Sequence, residues 1–483
     1  MYLLGVDLGT TGCKSMVFDL EGNILGSYYI EYELIFTPEG VEQDANAWWN
    51  NTKTAVKGAL EEAGIDGEKV LSVSVSSQGI AFVPVDKEGN TLMNAISWYD
   101  ARAVDEVARI KEDYDNFEIF SRTGRQITPV VFPKVMWLKK NRPEIYEKAS
   151  TFLMGLDFLL YRFSGNTTTD YTMASGTLCY DTAKREWIPE LFERYGIDMD
   201  RFPQIHCFGD VVGTVLPEVA EELGLSTKTK VVMGLQDQKA GASGAGINEE
   251  IMTISLGTAS AISSIAKRHV TDDNMAVACH GFDRNRWMLE NNVGTAGSAL
   301  KWVRDTLFSQ KSYREMDALA EKAPVGSNGV IFHPFLVRGE SGHGKGTFAR
   351  IALDATQGDI IRSVLEGIAY EIKICIDAHK RVSDIARKAK ELHVFGGGAV
   401  SSLWCQIIAD IANMPVVIPR TYETGNLGAA LCAGIGAGVF KNLDDAKAFV
   451  GKPQKEYLPN KENSKAYKEK FEEYTEWKRN SNH

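Results

Sequence analysis

The stretch Val6-Asp7-Leu8-Gly9-Thr10 determines the fold class, because a close copy of it, Ile254-Ser255-Leu256-Gly257-Thr258, follows half a chain later. Each copy reads as an apolar strand that stops at a Gly-Thr turn, and each is followed by a second strand, at 14–18 or at 261–265. Such a turn presents backbone N–H groups and a hydroxyl together, which suits a phosphate. The repeat therefore predicts two related domains that close on one polyphosphate. Taken alone, it is explained equally well by two ordinary hairpins.

Length, charge and cysteine content restrict the class of protein. A chain of 483 residues, of which 44% are hydrophobic, is long enough for two or three domains with substantial cores. The formal net charge of -11 disfavours nucleic acid as a partner, because phosphate backbones select basic surfaces. The cysteines are scattered without C-x-x-C spacing, so neither a disulfide framework nor a zinc site is indicated. No apolar run approaches the roughly 20 residues of a membrane span, and we expect a cytoplasmic protein that does not bind membranes.

The predicted strands and helices follow the same order in both halves of the chain. Three strands, at 2–8, 14–19 and 24–34, precede a helix at 44–64, and the second half restarts at Ile251 with its own strand-turn-strand. Further strands are predicted at 70–75, 81–85, 231–235 and 392–395, and further helices at 101–113, 134–148 with a break at Pro143, 296–307, 358–380, 402–411 and 424–438. Leading runs of strands that later alternate with helices indicate mixed α/β domains.

This order of elements matches the actin-like, ribonuclease H-like ATPase architecture, in which two α/β domains face an interdomain cleft. The run of small residues at 240–246 predicts either a tightly packed helix or a hinge. We therefore expect the domain boundary within 244–250, with an N-terminal domain at 1–246 and a C-terminal domain at 247–483.

Asp7 is the predicted metal-associated carboxylate. It stands near the end of the first strand, beside the turn Gly9-Thr10-Thr11-Gly12. A carboxylate beside a phosphate cradle is the usual arrangement for Mg²⁺ that is bound mostly through water. Lys14 follows closely enough to reach a terminal phosphate. The alternative is a solvated hairpin with an incidental aspartate, but an aspartate in an apolar strand needs a partner, because burying a lone carboxylate is costly.

Asp237 is the predicted catalytic residue. It lies in Gly234-Leu235-Gln236-Asp237-Gln238, where a strand ends beside the expected cleft. A kinase that acts on an alcohol needs a carboxylate near the attacking hydroxyl. The alternative is a helix N-cap, since aspartate is favoured in front of a helix, and the two roles are compatible.

Two further motifs fit a nucleotide and a sugar, although each also has a purely structural explanation. The glycines of 294–297 and of 396–398 would let a helix start approach a nucleotide closely, or would only allow tight packing. Their spacing is not G-x-G-x-x-G, which argues against a dinucleotide oxidoreductase. The stretch Trp98-Tyr99-Asp100-Ala101-Arg102 combines aromatic faces with charged groups, as a sugar requires. Its alternative is a core tryptophan beside a structural Asp–Arg pair.

Taken together, these motifs resemble the FGGY family of carbohydrate kinases, and the resemblance extends over nearly the whole chain. Both the order and the spacing of the motifs agree with the family. The matching segments are GVDLGTT (5–11), WYDAR (98–102), DYTMASGTLCYD (170–181), GLQDQKAG (234–241), SLGT (255–258), GGGAVSSLWCQIIAD (396–410) and GNLGAALCA (425–433). Within the family, 174–177 and 396–401 look most like the xylulose kinases.

The resemblance implies ATP-dependent phosphorylation of a primary hydroxyl of a small sugar or polyol, with Mg²⁺ as the metal cofactor. By position, Asp237 matches the family's general base and Asp7 its magnesium-associated carboxylate. The positions that match phosphate contacts are Thr10, Thr11, Lys14, Gly257 and Thr258, and those that flank the adenosine are Gly297, Lys301, Gly398 and Ser402. The expected sugar contacts are Gln78, Gly79, Trp98, Asp100, Asp237 and Gln238. The sugar is expected mainly on the N-terminal domain and the nucleotide mainly on the C-terminal one.

The identity of the sugar stays open at this point. Xylulose kinases carry Met-His where this chain has Gly79-Ile80, and glycerol kinases carry Arg-Glu there. We expect a ketopentose such as xylulose first, with ribulose, glycerol and erythritol as alternatives. A protein of another class, an actin- or chaperone-like ATPase switch, would use the same phosphate turns without a sugar pocket. The sequence leaves open whether the chain forms a homo-oligomer.

Overall fold

The structure, a computed structural model, describes residues 1–336 and 345–481. Its strands are β1 (Tyr2–Leu8), β2 (Gly12–Phe18), β3 (Ile24–Glu31), β4 (Ile35–Thr37), β5 (Gly40–Gln43), β6 (Val70–Ser77), β7 (Phe82–Val85), β8 (Ala95–Ile96), β9 (Thr151–Met154), β10 (Thr168–Asp170), β11 (Tyr180–Asp181), β12 (Glu186–Trp187), β13 (Gln204–His206), β14 (Val211–Thr214), β15 (Lys230–Gln236), β16 (Ile251–Leu256), β17 (Ser260–Ala266), β18 (Ala278–Gly281), β19 (Trp287–Val293), β20 (Ile331–His333), β21 (Thr347–Ala349), β22 (Glu391–Phe395), β23 (Val416–Ile418) and β24 (Lys455–Tyr457).

The helices of the described residues are α1 (Ala45–Ala63), α2 (Val104–Asp113), α3 (Asn116–Thr123), α4 (Val131–Asn141), α5 (Pro143–Lys148), α6 (Gly155–Ser164), α7 (Tyr171–Ala174), α8 (Pro189–Tyr195), α9 (Pro217–Leu223), α10 (Asp237–Gly244), α11 (Gly297–Leu307), α12 (Tyr313–Ala320), α13 (Gln357–Val382), α14 (Asp384–Arg387), α15 (Ser402–Ala412), α16 (Thr424–Ala437), α17 (Lys447–Val450) and α18 (Lys461–Ser481). Single 3-10 turns lie at Gly67–Lys69, Met199–Arg201, Ser327–Gly329 and Gly397–Val400.

Contacts between residues divide the chain into two compact units. The first unit comprises 1–244, 266–288 and 423–451, and the second comprises 245–265, 289–422 and 452–483. Neither unit is one continuous segment, because two later segments return to the first unit. The expected domains, 1–246 and 247–483, follow the order of the chain, so the segment 423–451 belongs to the expected C-terminal domain but to the first compact unit.

The main sheet of the first unit has the strand order β14-β15-β6-β1-β2-β3. β1, β2 and β3 form an antiparallel meander, while β6 and β15 run parallel to β1. Because the register pairs Leu8 with Ser77 and Ser77 with Gln236, the carboxyl ends of these three strands meet at one edge of the sheet. Ligands of α/β proteins bind at such edges.

α1 illustrates how the sequence encodes an element of this unit. The Asp44 side chain accepts a hydrogen bond from the backbone N–H of Asn46 and caps the start of α1, and Gly64 ends the helix in the left-handed conformation. Trp48, Val56 and other apolar residues at helical spacing are buried where α1 packs against β2 and β3. The predicted helix at 44–64 is thereby confirmed.

α16 joins the first unit through unusually close packing against α10. A Cβ atom on Gly428 would lie 2.0 Å from the backbone oxygen of Ala240, so the two helix backbones are in direct contact. The Asn426 amide donates to the backbone carbonyls of Gly5 (3.1 Å) and Lys14 (2.9 Å), which anchors α16 to β1 and β2. The small residues that the sequence places in both helices allow this approach.

The second unit is built on a sheet that includes the order β17-β16-β22-β23-β24. β16 runs antiparallel to β17 and parallel to β22. The long α13 begins at a capping box, in which Thr356 and Asp359 exchange side chain-to-backbone hydrogen bonds, and it packs against α12 and α15. The strand-turn-strand that the sequence predicts after Ile251 is confirmed by β16 and β17.

The mixed α/β architecture predicted from the sequence is confirmed. The predicted break at Pro143 separates α4 from α5, because proline is accommodated at the first position of a helix but not in its interior. The helix predicted at 101–113 begins only at Val104, and the small-residue run at 240–246 lies largely within α10. Of the helices that the structure describes, none has both the length and the apolar character needed to cross a membrane.

Candidate active site

The turn between β1 and β2 carries the residues that the sequence assigns to phosphate. Gly9 donates its backbone N–H to the carbonyl of Gly12 (2.8 Å), which closes the turn. The Gln43 amide donates to the carbonyl of Thr10 (2.8 Å), so the outer end of the turn is also tied down. Thr10 and Thr11 are therefore presented from a turn that is fixed by hydrogen bonds at both of its ends.

A cavity of about 290 Å³ lies against this turn. Its lining residues are Asp7, Gly9, Thr10, Thr11, Gly12, Lys14, Tyr29 and Glu423. Lys14 pairs with Asp7 in the β1–β2 register, and its ammonium nitrogen lies 2.5 Å from a carboxylate oxygen of Glu423. The structure thus brings Asp7, Thr10, Thr11 and Lys14 together around one cavity. The charged groups that line it are the carboxylates of Asp7 and Glu423 and the ammonium of Lys14.

The carboxylate of Asp7 is buried, and its surroundings shift its pKa. The pKa of Asp7 is raised from 3.8 to about 6, mainly by burial. The nearby Glu423 also acts to raise this pKa, whereas a hydrogen bond from the Ser76 hydroxyl (2.6 Å) and the charge of Lys14 act to lower it. A divalent cation would favour the charged form. Carboxylates beside a phosphate turn form a donor set that fits Mg²⁺, which is usually held by one or two carboxylates together with phosphate oxygens and water.

Trp98 and Tyr99 form an aromatic pair beside the same turn. Their rings are stacked with a centroid separation of 3.8 Å, and both are substantially exposed, at 40% and 53%. The Trp98 indole N–H donates to the Thr10 hydroxyl (3.0 Å), which places the tryptophan next to the turn between β1 and β2. An exposed aromatic face in this position is available to a ligand, so the structure does not place Trp98 in the core.

Asp100 is buried, and both of its carboxylate oxygens are used within the protein. One oxygen accepts from the backbone N–H of Val41 (2.7 Å) and from the Arg102 guanidinium (2.9 Å), and the other accepts from the backbone N–H of Arg102 (2.9 Å). The buried Lys134 donates to the carbonyl of Ser97 (2.8 Å), and burial lowers the pKa of Lys134 to about 8. These contacts fix the loop that carries Trp98, and the predicted contact between Asp100 and a sugar stays a prediction.

Asp237 is the first residue of α10 and directly follows β15. One of its carboxylate oxygens accepts from the backbone N–H of Gln238 (2.7 Å) and from the side-chain amide of Gln236. Gln78 lies at the end of β6, the neighbouring strand, where its backbone N–H donates to the carbonyl of Leu8 (2.7 Å). Asp237, Gln238, Gln78 and the adjacent Gly79 therefore lie at the same sheet edge as the end of β1.

The second unit brings together its own predicted residues around the turn after β16. The carbonyl of Gly257 accepts a hydrogen bond from the backbone N–H of Gly297 (2.9 Å). The carbonyl of Thr258 accepts one from the backbone N–H of Ser298 (3.1 Å). The start of α11 is thus bonded directly to the Gly257–Thr258 turn. Lys301 lies one turn further along α11, exposed and paired with Asp305 (2.5 Å).

Gly398 and Ser402 lie on the segment that follows β22 in the second unit. A Cβ atom on Gly398 would lie 2.6 Å from the Leu256 side chain, so this glycine packs against the end of β16. The Ser402 hydroxyl accepts from the Lys455 ammonium (2.8 Å) and the Tyr457 hydroxyl (3.0 Å), which attaches it to β24. Gly398 is therefore close to the Gly257–Thr258 turn, whereas Ser402 is engaged by a different strand.

Three polar residues at these sites were not singled out from the sequence. Glu423 lines the cavity beside Asp7, Gln43 holds the Thr10 turn, and Gln236 contacts Asp237. A signal existed for two of them, since Gln236 directly precedes Asp237 and Glu423 lies two residues before the matching segment 425–433. Gln43 gave no such signal, because it contacts the turn from a different sheet.

The structure superposes closely on those of solved sugar kinases. The solved xylulose kinase of Lactobacillus acidophilus superposes with a TM-score of 0.91 at 26% identity, covering 99% of this chain and 97% of that one. A gluconate kinase of the same organism gives a TM-score of 0.91 at 25% identity, covering 100% and 98%. These likenesses identify the fold as the actin-like ATPase fold of the sugar kinases, as the sequence predicted.

Sequence comparisons agree with the structural ones. A xylulose kinase of Staphylococcus epidermidis is 30% identical over 481 residues, which cover 98% of this chain and 95% of the relative. An autoinducer-2 kinase of Yersinia enterocolitica is 28% identical over 490 residues, with coverages of 96% and 92%. The models of the N-terminal and C-terminal domains of the FGGY family of carbohydrate kinases match residues 2–244 and 252–437. Because these matches span most of the chain, the protein belongs to the FGGY family of carbohydrate kinases and is a sugar kinase.

Proposed function

We propose that this sugar kinase transfers the γ-phosphoryl group of MgATP to a primary hydroxyl of a ketopentose, with xylulose as the first candidate. Sugar kinases of this family use ATP, typically with Mg²⁺. The observation that carries the proposal is the position of Asp237, which begins α10 at the sheet edge where β1 and β6 also end. A carboxylate in that position can serve a hydroxyl of a ligand bound near the phosphate turn.

Asp237 acts as the general base in this proposal. It accepts the proton of the sugar hydroxyl while the hydroxyl oxygen forms a bond to the γ-phosphorus and the bond from that phosphorus to the bridging oxygen of ADP breaks. The hydrogen bonds from Gln236 and from the backbone N–H of Gln238 hold the carboxylate in one orientation. The protein contributes mainly positioning and charge stabilisation, because phosphoryl transfer needs little covalent chemistry.

The phosphates are assigned to the two Gly-Thr turns. Thr10, Thr11 and Lys14 in the first unit, and Gly257 and Thr258 in the second, offer hydroxyl, ammonium and backbone donors of the kind that phosphate oxygens accept. Asp7 is assigned to the magnesium ion, held mainly through water. Bound magnesium would neutralise charge on the β- and γ-phosphates.

The remaining predicted residues are assigned to the two substrates. Gly297, Lys301, Gly398 and Ser402 are assigned to the adenosine, on the segments that surround the end of β16. The sugar is assigned to Gln78, Gly79, Trp98, Asp100, Asp237 and Gln238. The domain at 1–246 would accordingly hold mainly the sugar, and the domain at 247–483 would hold mainly the nucleotide.

The choice of xylulose rests on the relatives. Xylulose kinases occur both among the sequence relatives and among the solved structures. A gluconate kinase and an autoinducer-2 kinase also match over nearly the whole chain, so several small sugars and sugar-like molecules deserve comparison.

An ADP-release assay tests the proposal directly. The panel contains D-xylulose, D-ribulose, glycerol, erythritol and gluconate, with a reaction that lacks sugar and with Asp237→Asn as controls. We expect ADP release that depends on D-xylulose and is lost in the variant. ADP release at the same rate without any sugar would instead indicate an ATPase switch, and a clear preference for another member of the panel would replace xylulose.

A further inference from the structure

Gly79 leaves a space that the side chain of Gln236 occupies. A Cβ atom at position 79 would lie 3.1 Å from Nε2 and 3.3 Å from Cγ of Gln236, which is closer than ordinary contact. Gly79 lies two residues after the end of β6, and Gln236 is the last residue of β15, the parallel strand beside it. The Gln236 amide therefore stands where a larger residue at position 79 would place its own side chain.

Gln236 is held by one hydrogen bond of its backbone and one of its side chain. Its backbone N–H donates to the Thr172 hydroxyl (2.9 Å), and its side-chain nitrogen donates to the Asp237 carboxylate. Since the amide nitrogen is bonded to the proposed base, the amide oxygen is the group that remains available to a ligand.

That amide oxygen is buried, yet it accepts no hydrogen bond from any described residue. The side-chain amide oxygen of Gln78 is also buried and accepts no hydrogen bond from any described residue, while the side-chain nitrogen of Gln78 donates to the amide oxygen of Gln43 (3.1 Å). Buried polar atoms are almost always paired, so an acceptor without a donor next to a catalytic carboxylate points to a ligand. A sugar hydroxyl can donate to such an oxygen, whereas a carboxylate or a phosphate group carries no proton to donate.

We propose that Gln236 is a specificity-determining residue whose amide oxygen accepts a hydrogen bond from a substrate hydroxyl other than the one that is phosphorylated. The inference rests on the proposed function, because it needs a sugar beside Asp237. It also restricts the substrate class: the part of the substrate that faces Gln236 carries neutral hydroxyl groups, and a sugar acid that turns its carboxylate toward this residue is disfavoured.

A coupling experiment between the residue and the substrate tests this inference. The wild-type protein and Gln236→Leu are titrated calorimetrically with D-xylulose and with its 1-deoxy, 3-deoxy and 4-deoxy analogues, and kcat and KM for D-xylulose are measured in parallel. Gln236→Met is a second variant in case leucine impairs folding. Gln204→Leu, an exposed glutamine on β13, is the matched control.

We expect one deoxy analogue to bind the wild-type protein roughly 10- to 100-fold more weakly than D-xylulose, which is the cost of one unpaired buried acceptor. In Gln236→Leu, the same deoxy analogue should lose less than about threefold relative to D-xylulose, because the partner of the missing hydroxyl is gone. Gln204→Leu should retain the full discrimination of the wild-type protein.

The other outcomes of this experiment separate the inference about Gln236 from the proposed function. If every deoxy analogue loses the same factor in the wild-type protein and in both Gln236 variants, Gln236 does not read a hydroxyl and the inference is overturned. If the coupling is found but no sugar is phosphorylated, the inference stands and the proposed function fails. If the wild-type protein binds no member of the sugar panel, both are overturned.

Discussion

At the scale of single residues, the candidate site is a set of charges that hold one another in place. Lys14 is bonded to Glu423 and lies beside Asp7, and all three line the same cavity. A lysine that is already oriented loses little side-chain entropy when a phosphate arrives, so it can stabilise charge in the transition state. In the proposed mechanism, Glu423 would hold Lys14 in position for the phosphate.

Replacing Lys14 with alanine should therefore slow phosphoryl transfer more than it weakens sugar binding. We expect kcat to fall by roughly 100-fold, the usual effect of removing one donor to developing charge. The dissociation constant of the sugar should change by less than about threefold. Steady-state kinetics and calorimetric sugar binding measure the two quantities.

Lys53→Ala is the matched control, because Lys53 makes a surface ion pair with Glu222 (2.8 Å) away from the cavity. It should leave both quantities unchanged. Equal losses of kcat and of sugar affinity in Lys14→Ala would assign Lys14 a structural role instead.

Asp170 predicts a pH dependence of stability. This buried residue caps α7 by accepting from the backbone N–H groups of Thr172 (2.8 Å) and Met173 (2.9 Å). The pKa of Asp170 is raised from 3.8 to about 6, because burial outweighs the lowering effect of these hydrogen bonds and of the charge of Lys239. Because the folded state holds the proton more tightly than the unfolded state, Asp170 stabilises the fold most below pH 4 and loses this contribution as the pH rises through 6.

Asp170→Asn should remove this dependence, since asparagine can still cap the helix but does not ionise. The free energy of unfolding of the variant, relative to wild type, should improve by up to about 3 kcal/mol between pH 4 and pH 7. Urea unfolding at several pH values measures it. Parallel stability curves for the two proteins would contradict the prediction.

At the scale of elements, the packing of α16 against α10 brings Glu423 to the site. Glu423 directly precedes α16, and α10 begins with Asp237. The two helices approach so closely that Gly428 touches the backbone of Ala240. The contact between these helices therefore influences both the cavity beside Asp7 and the proposed base.

Gly428→Ala should destabilise the protein although alanine favours helices. Helix propensity alone would add about 1 kcal/mol of stability. The new methyl carbon would lie 2.0 Å from the backbone oxygen of Ala240, and such overpacking typically costs about 1–3 kcal/mol or more. We expect the second effect to dominate and the thermal midpoint to fall.

Gly397→Ala provides the comparison, because nothing lies within 4 Å of a Cβ atom at that position. Its thermal midpoint should remain close to that of the wild-type protein. A Gly428→Ala variant that is as stable as Gly397→Ala would contradict the close packing of α16 on α10.

At the scale of the whole molecule, the local pattern of the sequence predicts most elements and much of the site. The repeated strand and Gly-Thr turn are present in both units, and Asp7, Thr10 and Lys14 line one cavity because they lie on a single hairpin. Residues that are close in sequence and share a strand-turn-strand are fixed by local geometry, which is why they can be predicted.

Long-range packing explains what the sequence did not reveal. Glu423 reaches the cavity only because α16 returns to the first unit, and that return depends on contacts of glycines such as Gly428 and Gly5 with distant backbone atoms. Gln43 supports the Thr10 turn from a separate sheet, and the proximity of the Gln236 side chain to Gly79 depends on the pairing of β6 with β15. None of these relationships has a periodicity that a sequence could display.

The proposed mechanism depends on Asp237 as the base of a sugar kinase, and the Asp237→Asn variant removes that base alone. Sugar-dependent ADP release and nucleotide binding are measured on the same preparations, with Asp354→Asn, an exposed aspartate, as the control. We predict that Asp237→Asn loses roughly 1000-fold or more in kcat while it binds nucleotide as the wild-type protein does, because general-base catalysis contributes on the order of 10²–10⁴-fold. An Asp237→Asn variant that turns over the sugar at the wild-type rate would contradict the claim.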